Sequence, residues 1–250
     1  MSTSVAIITA RAGSKSIIDK NVHPIGDGRP MVQYPISAAF EASGIDRVFV
    51  DTDGDAIAEA SESAGAEVLR RPDELAGDHV NHGDVIQHAV RTVDSMVEGL
   101  TNVVLLLGNT VMVDGPLIDI CLGVLDQDKT LDSSMTIWQA ADDHPYRAME
   151  IGDDGLLRSW AGKPLAISTE RQSYPDIYYY DQGVWAFRKE CVEREGSLSP
   201  WWWMGDRCRP VVRTWITGRD IHSHFDIALA EAYLAQRNRM VELEERTVVR

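Results

Sequence analysis

The chain has 250 residues, enough for one large α/β domain or two small ones and for a core that needs no covalent staples. Its formal charge of −15 excludes a broad phosphate-tracking surface for nucleic acid, which requires clustered Lys and Arg. Three scattered cysteines, Cys121, Cys191 and Cys208, argue against a disulfide scaffold or a Cys-x-x-Cys zinc site, and no apolar run reaches the length of a membrane span.

The first apolar run, Val5-Ala-Ile-Ile8, is too short for a signal-peptide core and reads as a buried strand. With the unpaired cysteines, this sets the expectation of a soluble, cytoplasmic protein. A Gly/Ser loop follows, and then residues 31–42, whose apolar spacing predicts a helix ending before Gly44. The alternation continues with a strand at 47–50, a helix over 55–64, a strand at 67–69, a helix over 85–97, a strand at 102–107 and a helix over 116–125. Strands alternating with helices predict a Rossmann-like, mostly parallel sheet flanked by helices. Beyond residue 130 the rhythm changes. Residues 133–190, including Met135-Thr-Ile-Trp138, read as a β-rich insertion within a single domain spanning 1–250. A strand at 211–216 and an amphipathic helix over 226–241 close the pattern. Three adjacent tryptophans, Trp201 to Trp203, read as packing or interface residues rather than a ligand stack.

Chemistry concentrates in Ile7-Ile-Thr-Ala-Arg-Ala-Gly-Ser-Lys-Ser-Ile-Ile-Asp-Lys-Asn21. A strand there runs into a flexible turn offering backbone N–H groups, hydroxyls and the cations Arg11, Lys15 and Lys20 within an otherwise acidic chain. Such parts make an anion cradle suited to a triphosphate. The turn is neither a Walker A loop nor a G-x-G-x-x-G fingerprint, and on its own an ordinary βα turn with solvated lysines explains it equally well.

This segment resembles the amino-terminal signature I-P-A-R-x-G-S-K-G-I-x-x-K-N of the CMP-sialic acid synthetase (acylneuraminate cytidylyltransferase) family. Further similarities follow in family order: Asp51-Thr-Asp53, Arg70-Arg-Pro-Asp-Glu-Leu-Ala76 with Asp78, His144-Pro-Tyr-Arg147, Tyr178 to Gly183, and Asp220-Ile-His222 leading into Asp226. The resemblance covers almost the whole chain. It implies a nucleotidyltransferase-type fold whose insertion serves dimerisation, a homodimer, and transfer of CMP from CTP to a small acidic acceptor with release of pyrophosphate. By the same resemblance Arg11, Lys15 and Lys20 are catalytic, while Ala10, Arg11, Gly13, Ser14, Lys15, Asn21, Arg71 and Asp78 bind the nucleotide. For Arg71 the alternative is a surface salt bridge to Asp73 or Glu74.

Acceptor contacts are expected at Asn109, Thr110, Tyr179 and Gln182. The metal is expected to be Mg²⁺, held by Asp220, His222 and Asp226. The family has a second Asp where this chain has His222, and imidazole suits Mn²⁺ better than Mg²⁺. Two exposed histidines beside a helix cap at Asp226 would account for the same residues without a metal. Other departures fall on the acceptor side: Leu106-Leu-Gly-Asn-Thr-Val-Met-Val113 stands for L-Q-P-T-S-P-L-R, and Asp181-Gln182 for Arg-Asn. Thr9 replaces a proline and Ser16 a glycine. The acceptor is thus a nonulosonic acid of sialic type or another acid such as a phosphonate. Two other readings stay open, a nucleotidyltransferase using another nucleotide or a sugar 1-phosphate, and a catalytically silent CTP-binding protein.

Overall fold

The computed structural model describes residues 2–77, 79–160 and 168–248, and within them the side chains of all but residues 171, 215, 216 and 238–248. Eleven strands and five α-helices occur among the described residues. They are β1 (Thr3–Thr9), β2 (Pro24–Ile25), β3 (Arg29–Pro30), α1 (Gln33–Glu41), β4 (Arg47–Thr52), α2 (Asp55–Ser63), β5 (Glu67–Arg70), α3 (His82–Met96), β6 (Leu100–Leu107) and α4 (Gly115–Gln127). The second half adds β7 (Ser133–Gln139), β8 (Met149–Ile151), β9 (Leu157–Ser159), β10 (Tyr178–Arg188), β11 (Cys208–Val212) and α5 (His224–Val248).

Seven strands form the central sheet in the order β11-β7-β10-β6-β1-β4-β5. Only β10 runs against its neighbours β6 and β7; the other pairings are parallel. Strand periodicity explains why the central strands look uniformly apolar. In β1, Ala6 and Ile8 point to one face and Val5 and Ile7 to the other; in β6, Val104 and Leu106 oppose Val103 and Leu105. On the first face α1, α2 and α4 contribute Ile36, Ile57, Ile118 and Leu125; on the second, α3 contributes Ile86, Ala89 and Val93. At ~25 cal/mol per Å², burial of each such side chain favours folding by about 2 kcal/mol.

The stretch read as a β-rich insertion is divided in two. Its flanking strands β7 and β10 join the central sheet, and only the β8–β9 hairpin forms a separate antiparallel unit. That hairpin leaves Met149, Ile151, Leu157 and the following Trp160 exposed.

Two local expectations, both element boundaries, are corrected. Helix α3 begins at His82 rather than at 85, because Asn81 caps it by accepting from the Gly83 backbone N–H at 2.8 Å. Strand β11 occupies 208–212 instead of 211–216, with a short 3-10 turn at Trp215–Gly218 taking its expected end. The tryptophans pack on the chain's own core. Trp203 is buried in the α3-side cluster, and Trp201 lies 3.9 Å from the Tyr180 ring, centroid to centroid.

Candidate active site

The carboxyl ends of β1, β4, β5 and β6 open onto a cleft of about 430 Å³. Clefts at this edge of a parallel sheet are where open α/β folds bind ligands. The loop after β1 forms its floor. Two backbone bonds tie the strand end in place, from Ala10 N–H to the Asp51 carbonyl and from Gly108 N–H to the Thr9 carbonyl, each 3.0 Å. Residue 108 must be glycine, since a Cβ there would stand 2.7 Å from that of Ala10 and 2.9 Å from Asn21 Oδ1.

Further along the loop, Asp53 accepts from Ala12 N–H at 2.7 Å, and Asn21 donates through Nδ2 to the Arg11 carbonyl at 2.9 Å. Gly13 takes φ +69°, which releases the backbone towards the cleft. Arg11, Ser14, Lys15, Lys20 and Asn21 all line the cavity. Ala10 is buried beneath it, and Gly13 lies in the bend between Arg11 and Ser14. Asn21 is therefore chiefly a brace for the loop, its amide spent on Arg11's backbone. Lys20 donates to the Ile221 carbonyl at 2.9 Å. Burial lowers its pKa, partly offset by the nearby Asp220 carboxylate.

Arg71 also lines the cleft, and its partner is not one that the alternative surface reading named. Its side chain is 4 % exposed and its Nε donates to Asp51 Oδ1 at 2.6 Å, so it is not a surface residue paired to Asp73 or Glu74. The neighbouring strands β4 and β5 bring the two together, Asp51 facing Leu69 in register. Burial raises the Asp51 pKa against the pull of Arg71. Asp78 lies outside the described residues.

At the opposite side of the cleft, Asn109 donates through Nδ2 to Asp220 Oδ2 and to the Ile221 carbonyl, both at 3.0 Å. His222 Nε2 stands 2.9 Å from the same Asp220 oxygen and lines the cavity. Asp226 has another use. Its Oδ2 accepts from Ser223 N–H and Oγ at 2.8 Å and from His222 N–H at 3.1 Å, while Ser223 Oγ accepts from Asp226 N–H. Ser223 and Asp226 thus form a capping box at the start of α5. Among the described residues no group of three or more His, Cys, Asp or Glu is placed to hold a metal ion. Asp220 lies within electrostatic reach of Lys20, and an oxygen donor is what Mg²⁺ requires. A single protein carboxylate fits an ion whose remaining ligands are phosphate oxygens and water.

Of the expected acceptor contacts, Asn109 lines the cleft. Thr110 is buried and its hydroxyl donates to the Gln182 carbonyl at 2.9 Å. Tyr179 sits apart, packed on Trp138 at 4.8 Å with its hydroxyl on the Asp143 carbonyl. Asp181 is buried and pairs with Arg213, which follows β11, at 3.5 Å. Four residues lining the cleft were not expected as site residues, Thr9, Ser16, His82 and Leu107. The Thr9 hydroxyl and His82 Nε2 are 3.1 Å apart. The Asn81-His82-Gly83 cap sequence was the available signal for His82.

Residues 5–97 match the cytidylyltransferase family model. The chain is 40% identical over 86 residues to the N-acylneuraminate cytidylyltransferase of Escherichia coli O18:K1:H7, an alignment covering 34% of this chain but only 20% of that relative. It is 27% identical over 200 residues, 77% of each protein, to the 8-amino-3,8-dideoxy-manno-octulosonate cytidylyltransferase of Shewanella frigidimarina. The fold matches a CMP:2-keto-3-deoxy-manno-octonic acid synthetase solved with CTP, at TM-score 0.71 and 19% identity, covering 94% of this chain and all of that one.

Proposed function

We propose that the chain is a cytidylyltransferase related to the CMP-sialic acid synthetases and that it transfers CMP from CTP onto a small sugar acid, releasing pyrophosphate. The observation that carries the reading is one cleft lined by Arg11, Lys15, Lys20 and Arg71 in a chain of net charge −15. A cation cluster held by a braced loop against that overall charge has a polyanion as its natural ligand.

In the proposed reaction an acceptor oxygen attacks the α-phosphorus in line. The new P–O bond forms as the bond to the β-phosphate's bridging oxygen breaks, and pyrophosphate carries away the electron pair. Arg11, Lys15 and Lys20 balance charge on the phosphate oxygens. No covalent enzyme intermediate is needed: burial pushes the Cys121 thiol up to about 12 and that of Cys191 to about 11, so neither supplies a thiolate. Asp220 would hold Mg²⁺, or Mn²⁺ with His222 beside it; the ion supplies Lewis-acid neutralisation of phosphate charge.

The acceptor enters beside Asn109 and His222, opposite Arg71. Curated relatives covering most of this chain act on an octulosonate, which favours a sugar acid over a phosphonate. The exposed apolar side chains of the β8–β9 hairpin, Met149, Ile151 and Leu157, favour a homodimer built on that hairpin. No helix among the described residues is long and apolar enough to cross a membrane, and three free cysteines favour a cytoplasmic setting.

The reading is tested by Lys15→Ala. Turnover should fall by about 100-fold or more with the melting temperature unchanged. Wild-type turnover in that variant would contradict the phosphate-cradle assignment.

A further inference from the structure

Against the loop that carries Asn109 lies a buried ion pair that no step of the proposed transfer uses. Asp181 on β10 and Arg213, just past β11, stand 3.5 Å apart with side chains 0 % and 7 % exposed. Asp181 Oδ1 accepts from the Gly183 N–H at 2.8 Å and from the Thr136 hydroxyl. The guanidinium reaches the other way. Its Nη2 donates to the Met112 carbonyl at 2.7 Å and to the Thr217 carbonyl, and its Nε donates to the Thr217 hydroxyl at 3.0 Å. The backbone makes room for the pair: a Cβ at residue 183 would collide with Arg213 Nη1, and one at residue 218 would stand 2.9 Å from Asp181 Oδ2.

Met112 and Thr217 belong to the two loops that build the acceptor end of the cleft. Met112 follows Asn109 by three residues, and Thr217 precedes Asp220 by three. At the cleft the loops are laced together. Asn109 Nδ2 donates to Asp220 Oδ2 and to the Ile221 carbonyl, each at 3.0 Å, and the Ile221 N–H donates to the Asn109 carbonyl at 3.2 Å. One nitrogen of Arg213 ties the same two loops at a second point, and Asp181 ties that guanidinium to the sheet.

As a stability device the pair is poor. Among the described residues Asp181 Oδ2 and Arg213 Nη1 are buried without a hydrogen-bond partner. Burial works against both charges, raising the Asp181 pKa and lowering that of Arg213, each offset in part by the other. Desolvation of a partly unsatisfied pair offsets its attraction, so uncharged side chains would fill the space about equally well. Such side chains could not hold carbonyls of two different loops at a fixed spacing.

We propose that Arg213, held by Asp181, is a positioning residue for the transfer reaction: it clamps the loops of Asn109 and Asp220 at one spacing and so shapes the end of the cleft where the acceptor attacks. A shift of about 1 Å there, transmitted from outside the reacting atoms, costs up to about 100-fold in rate. The Arg11–Lys15 loop and Arg71 are braced by Asp53, Asn21 and Asp51 instead, so nucleotide binding depends on the clamp much less.

This inference rests on the CTP-transfer reading, and the experiment keeps the two apart. Arg213→Met, and Arg213→Met combined with Asp181→Asn, are compared with wild type for pyrophosphate release from CTP and Mg²⁺. The acceptor is whichever of a panel of nonulosonic acids and octulosonates the wild type turns over fastest. Equilibrium CTP binding and melting temperature are measured alongside. The double variant buries no charge without its partner, so it should melt above Arg213→Met. Both variants should still lose about tenfold or more in kcat/KM for the sugar acid. Their CTP affinity should stay within about threefold of wild type, because the clamp acts on transfer and not on nucleotide binding. Wild-type kcat/KM in the double variant would overturn the proposal, since the pair would then serve only to compensate its own charges. A loss of CTP affinity as large as the loss in kcat/KM would overturn it too, because the effect would not be confined to the acceptor end. A wild type that binds CTP but releases no pyrophosphate with any of these acids would instead overturn the transfer reading, and the clamp with it.

Discussion

The buried pair Asp51–Arg71 should respond asymmetrically to loss of its two members. Asp51 is 1 % exposed and Arg71 4 %, and Asp51 Oδ2 has no hydrogen-bond partner, so the carboxylate depends on the guanidinium for compensation. Asp51→Asn keeps the shape but leaves a buried guanidinium, which cannot shed its proton; the expected cost is about 3–5 kcal/mol. For a chain of this size that corresponds to a melting temperature lower by roughly 10 °C or more. Arg71→Met leaves a buried carboxyl that can take up a proton, its pKa being already raised by desolvation. A carboxyl whose folded pKa exceeds its unfolded value gives stability that is complete at low pH and lost as pH rises through the folded value. Arg71→Met should therefore cost about 1–3 kcal/mol at pH 7 and regain about 1–2 kcal/mol by pH 5. Urea denaturation of both variants at the two pH values measures this. Equal costs with no pH dependence would refute the claim that this pair is a desolvated ion pair.

Other consequences are equally open to measurement. Because burial lowers the His82 pKa from 6.5 to about 4, the unfolded chain binds the proton first, and stability falls as pH drops from 6.5 towards 4, by up to about 3 kcal/mol. His82→Asn should flatten that slope in a pH series of melts, and an unchanged slope would refute the assignment. Asp226→Ala should cost about 1 kcal/mol through loss of the capping box, measured by urea denaturation. Asp220→Asn should instead raise the Mg²⁺ concentration for half-maximal turnover about tenfold or more. An equal shift of that concentration in Asp226→Ala would show Asp226 to be a ligand and not only a cap.

The central sheet was legible because its strands bury both faces, giving short continuous apolar runs such as Val5 to Ile8 between helices with apolar stripes. Boundaries failed where a polar side chain decided them. His82-Gly83-Asp84 carries no apolar stripe, so only the cap at Asn81 reveals the true start of α3. The same cap places His82 in the cleft. The division of the β-rich stretch depended on long-range pairing: β10 runs between β6 and β7, with a register shift between Tyr180 and Trp185. Local pattern carries no trace of that choice. In the site, the loop 10–21 was legible from its residue types, whereas the partner of Arg71 was not. Asp51 lies twenty positions away on the adjacent strand, and only the sheet register makes them neighbours. Asp226 was ambiguous for a plain chemical reason, since the same carboxylate can accept from backbone N–H groups or bind a cation.

The central claim is cytidylyl transfer, and its most direct test is pyrophosphate release from each of the four nucleoside triphosphates with Mg²⁺ or Mn²⁺, across a panel of nonulosonic acids, octulosonates, other keto acids and simple phosphonates. The account predicts release from CTP alone, matched mole for mole by a CMP adduct of one sugar acid. Release from another nucleotide in preference to CTP, or tight CTP binding with no release across the panel, would contradict it.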